Sequence, residues 1–168
     1  TQGVRGLARA VFIAAGVGAF QPRPLKVPGV EAFEGRHVLY RVQKPEAFAG
    51  QQVAVAGGGD SALDWANHLA GLPPQTAPAG VILIHRRDAF SAAPASVSRM
   101  RALCEQGRMQ LAIGQITGLE GSAGDASRLA ALKLTGADGV TRRLPLDALL
   151  VFHGMSPRLG PIADWGLA

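Results

Sequence analysis

Two short clusters in this chain have residue types and spacing that could do chemistry: Gly57-Gly58-Gly59-Asp60-Ser61-Ala62 and, further on, His85-Arg86-Arg87. The first fits the G-x-G-x-x-A form of the dinucleotide-binding fingerprint through Gly57, Gly59 and Ala62. In that pattern Gly57 lets the chain turn tightly off a strand, and Gly59 keeps a Cβ away from a pyrophosphate. Ala62 is small enough for the following helix to pack on the sheet. The helix start then aims unpaired N–H groups and a positive dipole end at the phosphates. Taken alone, such glycines also describe any tight strand-to-helix turn. Asp60 is a complication, since a carboxylate beside a pyrophosphate is repelled. It is predicted to point away and cap its own helix, with Ser61 as a second good capping residue.

The second cluster bears on the choice of nucleotide. An NAD site usually ends its second strand on an Asp or Glu, which bonds the ribose 2′-hydroxyl. Here that position reads His85-Arg86-Arg87. Guanidinium forks grip a phosphate bidentately, so the triplet points to NADPH. Arg86 is assigned to the 2′-phosphate, and Arg87 either stacks on adenine or shares the phosphate. His85 reads more as an ordinary strand-end histidine than as a ligand. Two arginines after a strand also describe a solvated edge, and the glycine turn one helix earlier is what favours the cofactor.

These clusters need elements to hold them. Residues 52–56 form a short run of β-branched and small apolar residues, as in a strand buried on both faces. Residues 62–70 are strong helix formers with Leu63, Ala66, Leu69 and Ala70 on one face, stopped by Gly71, Pro73 and Pro74. Residues 81–84 make a second apolar strand, which completes a strand–turn–helix–strand unit. Pro94 suits the first turn of a helix running to Gly107, with Val97, Met100, Leu103 and Cys104 at helical spacing; Cys104 reads as a core-facing thiol. Five strand-like pieces follow, at 109–113, 115–119, 129–135, 141–146 and 148–152. They predict an antiparallel meander, with a hairpin loop at residues 136–139, and then a last apolar strand. Before all this, residues 10–14 read as a buried strand entering a proline-stiffened connection through Pro22, Pro24 and Pro28. One short strand is expected in that connection, at 37–42.

Composition narrows the function classes. With 168 residues the chain can bury a core without staples. It carries 17 basic against 12 acidic residues, yet has no long basic run and few aromatics, which argues against nucleic acid and for a phosphorylated small molecule. A single cysteine excludes an internal disulfide and any paired-cysteine site. His37, His68 and His153 are scattered without metal-ligand spacing, and no residue reads as a general acid, base or nucleophile. No apolar stretch is long enough for a membrane span and no signal peptide is legible, so a cytoplasmic location is expected.

The decapeptide Gly57-Gly58-Gly59-Asp60-Ser61-Ala62-Leu63-Asp64-Trp65-Ala66 and the run His85-Arg86-Arg87-Asp88-x-Phe90 resemble the NADPH domain of thioredoxin-reductase-like flavoproteins, most of all the ferredoxin(flavodoxin)–NADP reductase branch. Two further segments agree: Ala14-Ala15-Gly16-Val17-Gly18-Ala19-Phe20-Gln21-Pro22-Arg23 and Leu159-Gly160-Pro161-Ile162-x-x-Trp165-Gly166-Leu167. The resemblance implies an α/β fold, with a Rossmann-like parallel sheet, helices and a three-stranded antiparallel layer. It also implies a division into residues 1–24 crossing from an FAD domain, 25–152 binding NADPH, and 153–168 returning. The implied activity of the intact enzyme is hydride transfer from NADPH to FAD, then electrons to ferredoxin or flavodoxin, in a homodimer.

Two departures qualify the match. Thioredoxin reductases carry a redox cysteine pair before the Gly-rich strand, whereas the stretch 40–44 has no cysteine. Dithiol chemistry is thereby excluded and the ferredoxin-reductase branch favoured. Relatives also tend to have a further basic residue where this chain has Ser91, which predicts a weaker 2′-phosphate clamp. No FAD fingerprint precedes Ala10 and the chain opens on Thr1. The expectation is an interior piece of a longer reductase that binds NADPH but passes no electrons alone. The rival readings are a related enzyme with another acceptor and a non-catalytic NADP-sensing module.

Overall fold

The computed structural model describes Leu7, Arg9, Ala10 and residues 19–158. The strand expected at 10–14, the Gly16–Gly18 pair and the motif at 159–167 lie outside the described residues. The larger of two compact units is Pro22–Gly154, and its ends are joined by the Arg23 N–H donating to the Gly154 carbonyl at 3.0 Å. β1 (Ala19–Pro22) and β10 (Met155–Arg158) pair as a two-stranded sheet.

The larger unit is built on a parallel sheet. Its strands are β2 (Val38–Leu39), β3 (Gln52–Ala56), β4 (Gly80–His85), β5 (Gln110–Ile113) and β9 (Ala148–Val151), in the spatial order β2-β9-β3-β4-β5. Two helices, α1 (Asp60–Gly71) and α2 (Pro94–Glu105), connect β3 to β4 and β4 to β5. The antiparallel layer consists of β6 (Gln115–Ser122), β7 (Asp125–Thr135) and β8 (Thr141–Pro145). The expected α/β class, a parallel sheet with helices plus a three-stranded antiparallel layer, is thus the observed one.

The period of two along each strand sorts side chains between two cores. Val53, Val55, Val81, Leu83 and Leu150 pack on one face against Leu63, Ala66, Leu69, Met100 and Leu103 of the helices. Ala54, Ala56, Ile82, Ile84 and Leu149 point to the other face, against Ile116, Leu129, Leu132 and Leu134 of the antiparallel layer. Both faces of the sheet are therefore dry, which is why β3 and β4 read as continuous apolar runs. Cys104 is half-buried with its Sγ 3.9 Å from Met100 Sδ, and burial pushes its thiol pKa up, in keeping with a packed thiol.

Some placements differ from the sequence expectation. The piece at 109–113, grouped with the later strands, becomes β5, the parallel edge beside β4. The last apolar strand, expected after the meander with no partner assigned, inserts between β2 and β3 and pairs with both in parallel. Asp147 sets that register: its N–H donates to the Gln52 carbonyl at 2.8 Å, and its Oδ2 accepts the Gln52 N–H at 2.9 Å. The crossing strand expected at 37–42 shrinks to Val38–Leu39, since only these residues pair with β9. Two 3₁₀ turns, Val30–Ala32 and Pro45–Phe48, occupy parts of the connection that read as irregular. The hairpin loop at 136–139 joins β7 to β8, with the Gly139 N–H donating to the Gly136 carbonyl at 3.0 Å.

Candidate functional site

The three glycines between β3 and α1 are glycines for three different reasons. Gly57 has φ +149°, which L residues rarely adopt, and a Cβ there would sit 2.5 Å from the Phe152 carbonyl oxygen and 2.8 Å from Ala62 Cβ. The close approach of β3, α1 and the end of β9 is therefore what requires both Gly57 and a small residue at fully buried Ala62. Gly58 is buried, and a Cβ on it would run into the His85 imidazole. Gly59 differs. Its φ of −100° suits any residue, and an added Cβ would meet only Ser91 Oγ, at an ordinary 3.7 Å. Nothing among the described residues asks for glycine there, and the open space beside its backbone is a cradle that a Cβ would fill.

The same turn offers hydrogen-bond donors. Gly59 is half-buried and Asp60 and Ser61 are exposed, and their three N–H groups have no backbone partner among the described residues. They stand at the start of α1, where the helix dipole adds positive potential. Asp60 does not cap its own helix as the sequence suggested. The N-cap is Gly59, without a side-chain cap, and Asp60 Oδ1 instead accepts the Ala93 N–H at 2.7 Å. The reason is tertiary. Ala93 is the N-cap of α2 and has no polar side chain, so its exposed donor is met from the neighbouring helix.

His85 ends β4 and the basic pair follows it into the segment 86–93. Arg86 and Arg87 are exposed and form no ion pair among the described residues. His85 is half-buried, packed over Gly58 with its ring centroid 5.4 Å from that of Phe90. Burial is the main cause that pulls its pKa below the usual 6.5, with Arg86 and Arg87 adding to the effect. It therefore acts as a packing post under the turn. Asp88 pairs with Arg101 of α2, whose guanidinium lies 5.7 Å from the Phe90 ring centroid.

Sequence reasoning missed what Ser91 and Asp60 do to this segment. The Ser91 N–H donates to the Gly58 carbonyl at 2.8 Å, and its hydroxyl reaches the same oxygen at 3.3 Å. With the Ala93–Asp60 bond, these stitch the Arg-bearing segment to the glycine turn. The only sequence signal was a polar residue, Ser91, where a cation was expected. The site thus joins Gly57, Gly58, Gly59, Asp60, Ser61 and Ala62 to His85, Arg86 and Arg87 at the carboxyl ends of β3 and β4, where open α/β sheets receive ligands. Amides and two guanidinium groups that have no partner among the described residues suit a ligand with more than one phosphate.

Fold and site define a three-layer α/β domain with an anion-receptive turn at the strand ends. The chain belongs to the pyridine nucleotide-disulphide oxidoreductase family, whose model matches residues 3–168. It is 58% identical over 167 residues to a ferredoxin–NADP reductase of Albidiferax ferrireducens, covering 99% of this chain and 46% of that protein. It is 56% identical over 165 residues to ferredoxin–NADP reductase 2 of Cupriavidus metallidurans, covering 98% and 43%. The chain spans less than half the length of these curated relatives. Among solved structures, the Lactococcus lactis thioredoxin reductase superposes with a TM-score of 0.75 at 22% identity, covering 89% of this chain and 46% of that one. Thioredoxin reductase from T. acidophilum gives 0.75 at 18% identity, with 89% and 46% covered. These two likenesses concern the fold. No helix among the described residues is long and apolar enough to cross a membrane.

Proposed function

We propose that this chain is the NADPH-binding part of an FAD-dependent pyridine-nucleotide oxidoreductase that serves ferredoxin or flavodoxin. Residues 25–152 are the nucleotide domain, and residues 1–24 and 153–168 lead from and back to an FAD-binding part of a longer, cytoplasmic, homodimeric protein. The observation that carries the reading is Gly59, a glycine that neither backbone conformation nor internal packing requires. A pyrophosphate seated there explains it. The amides of Gly59, Asp60 and Ser61 would donate to the phosphates from the start of α1, while Gly57, Gly58 and Ala62 shape the turn. Arg86 would take the 2′-phosphate bidentately, Arg87 would share it or lie on the adenine, and His85 would hold Gly58 from below. When bound, NADPH supplies a hydride, which FAD accepts in the intact enzyme. This chain's residues contribute binding and orientation only.

Calorimetric titration with NADPH and NADH, on the chain and on the Arg86→Ala/Arg87→Ala double variant, tests the reading. Each charge-assisted hydrogen bond contributes about 1.5–3 kcal/mol, so NADPH is expected to bind about ten- to a hundredfold tighter than NADH. The gap should close in the double variant. Equal affinities in the unmodified chain would remove the NADPH assignment.

A further inference from the structure

We infer that Asp60 is a positioning residue for NADPH selectivity: from α1 it fastens the segment carrying Arg86 and Arg87 to the glycine turn, with Ser91 as a second fastening. The inference rests on the NADPH reading above and extends it to a residue whose charge argues against phosphate contact.

The geometry sets out the division of labour. Arg86 and Arg87 lie on the exposed segment between β4 and α2 and have no ion-pair partner among the described residues. Two exposed guanidinium groups discriminate for a 2′-phosphate only if their backbone is held where that phosphate must lie; a loose segment lets them follow solvent instead. The segment's hydrogen bonds to the glycine turn are few. Ser91 donates twice to the Gly58 carbonyl, at 2.8 Å from its N–H and 3.3 Å from its hydroxyl, and Ala93 donates once to Asp60 Oδ1 at 2.7 Å. The Asp60 bond is charge-assisted and the shortest of the three. It also meets the N–H of the α2 N-cap, a service that an acidic residue within a helix's own first turn normally gives. Pro94 follows directly and has no N–H of its own, so Ala93 carries the last backbone donor of the segment before α2. Farther along the same seam, Ser96 Oγ donates to Asp64 Oδ1 at 2.9 Å and Asn67 Nδ2 donates to the Ser96 carbonyl at 2.9 Å. The first two turns of α1 thus hold the start of α2, and the Arg-bearing segment lies between these fastenings and the end of β4.

A carboxylate at the first position of α1 therefore has two opposed effects on a bound dinucleotide. It repels the pyrophosphate, and it orders the 2′-phosphate clamp. Which effect dominates is decided by substitution, because Asn keeps an oxygen acceptor for Ala93 but loses the charge, whereas Ala loses both.

The test is calorimetric affinity for NADPH and NADH in the full chain with Asp60, Asp60→Ala and Asp60→Asn. Fastening predicts that Asp60→Ala binds NADPH about tenfold more weakly while NADH affinity changes little. Asp60→Asn should keep NADPH affinity within about threefold of the unmodified chain. If Asp60→Ala binds NADPH as well as the unmodified chain or better, repulsion dominates and the inference is overturned. If both nucleotides weaken equally and Asn does not rescue, Asp60 is a stability residue only, which overturns it as well. Should the unmodified chain itself show no preference for NADPH, the NADPH reading fails, and selectivity through Asp60 fails with it. That result is distinguishable from a chain that prefers NADPH but ignores the Asp60 substitutions.

Discussion

Gly59→Ala separates a glycine kept for a ligand from one kept for the fold. At position 59 the backbone has φ −100°, open to any residue, and the new methyl meets nothing nearer than Ser91 Oγ at 3.7 Å. Removing a glycine from such a position narrows the unfolded ensemble, so the nucleotide-free variant should be unchanged or stabilised by about 0.4–1 kcal/mol. For a chain of this size that is a rise of roughly 2–4 °C in Tm at most. Nucleotide binding should move the other way. The methyl occupies the space beside the amides of Gly59, Asp60 and Ser61, and losing even one charge-assisted bond of about 1.5–3 kcal/mol weakens NADPH binding about ten- to a hundredfold. Gly57→Ala provides the contrast. Its Cβ would lie 2.5 Å from the Phe152 carbonyl oxygen and 2.8 Å from Ala62 Cβ, at a φ of +149°. Strain and overlap there should destabilise the fold by about 3 kcal/mol or more, whatever ligand is present. Thermal melts and calorimetric titration of both variants measure the two quantities separately. A Gly59→Ala chain that binds NADPH normally would refute the cradle, and one that unfolds early would refute the packing argument.

Two further expectations concern stability. The His85 pKa lies below its usual 6.5 because of burial first, then Arg86 and Arg87. The native state therefore holds fewer protons than the unfolded chain, so stability is complete above about pH 6.5 and declines as pH falls below it. The Tm of the nucleotide-free chain should drop as pH falls from about 6.5 to 5.5, and His85→Gln should lessen that drop, leaving the share of His153, whose pKa is lowered as well; an unaltered slope would show that His85 is not its source. Asn67 is 4% exposed, and its Nδ2 donates to the Ser96 carbonyl. Asn67→Asp removes that donor and sets a carboxylate oxygen against a carbonyl, at a cost of about 3 kcal/mol or more and a Tm lower by roughly 6–12 °C. A change of under about 2 °C would mean that the α1–α2 seam does not depend on this bond.

Much of the fold was legible because local rules and burial agree. The run 52–56 needed no tertiary knowledge to read as a central strand, since a strand dry on both faces must be apolar throughout. Pro94 began α2 where its missing N–H is harmless, and the loop at 136–139 turned where its glycines allowed. The residues proposed for the site were named from local patterns. The glycine spacing and the Arg86-Arg87 pair are local patterns whose chemistry follows from residue type. Partners far apart in the chain were not legible. That β9 would insert between β2 and β3 depends on Asp147 meeting Gln52, a pairing that no local periodicity encodes. Asp60 looked like the cap of its own helix because local capping is the commonest use of such a residue, and a donor on Ala93 claimed it instead. By itself the sequence determined the elements and the chemical character of the turn, because both are set by the properties of neighbouring residues. Only the tertiary structure decided what surrounds each glycine and which groups hydrogen-bond the Arg-bearing segment, because both depend on what the fold brings within a hydrogen bond's reach.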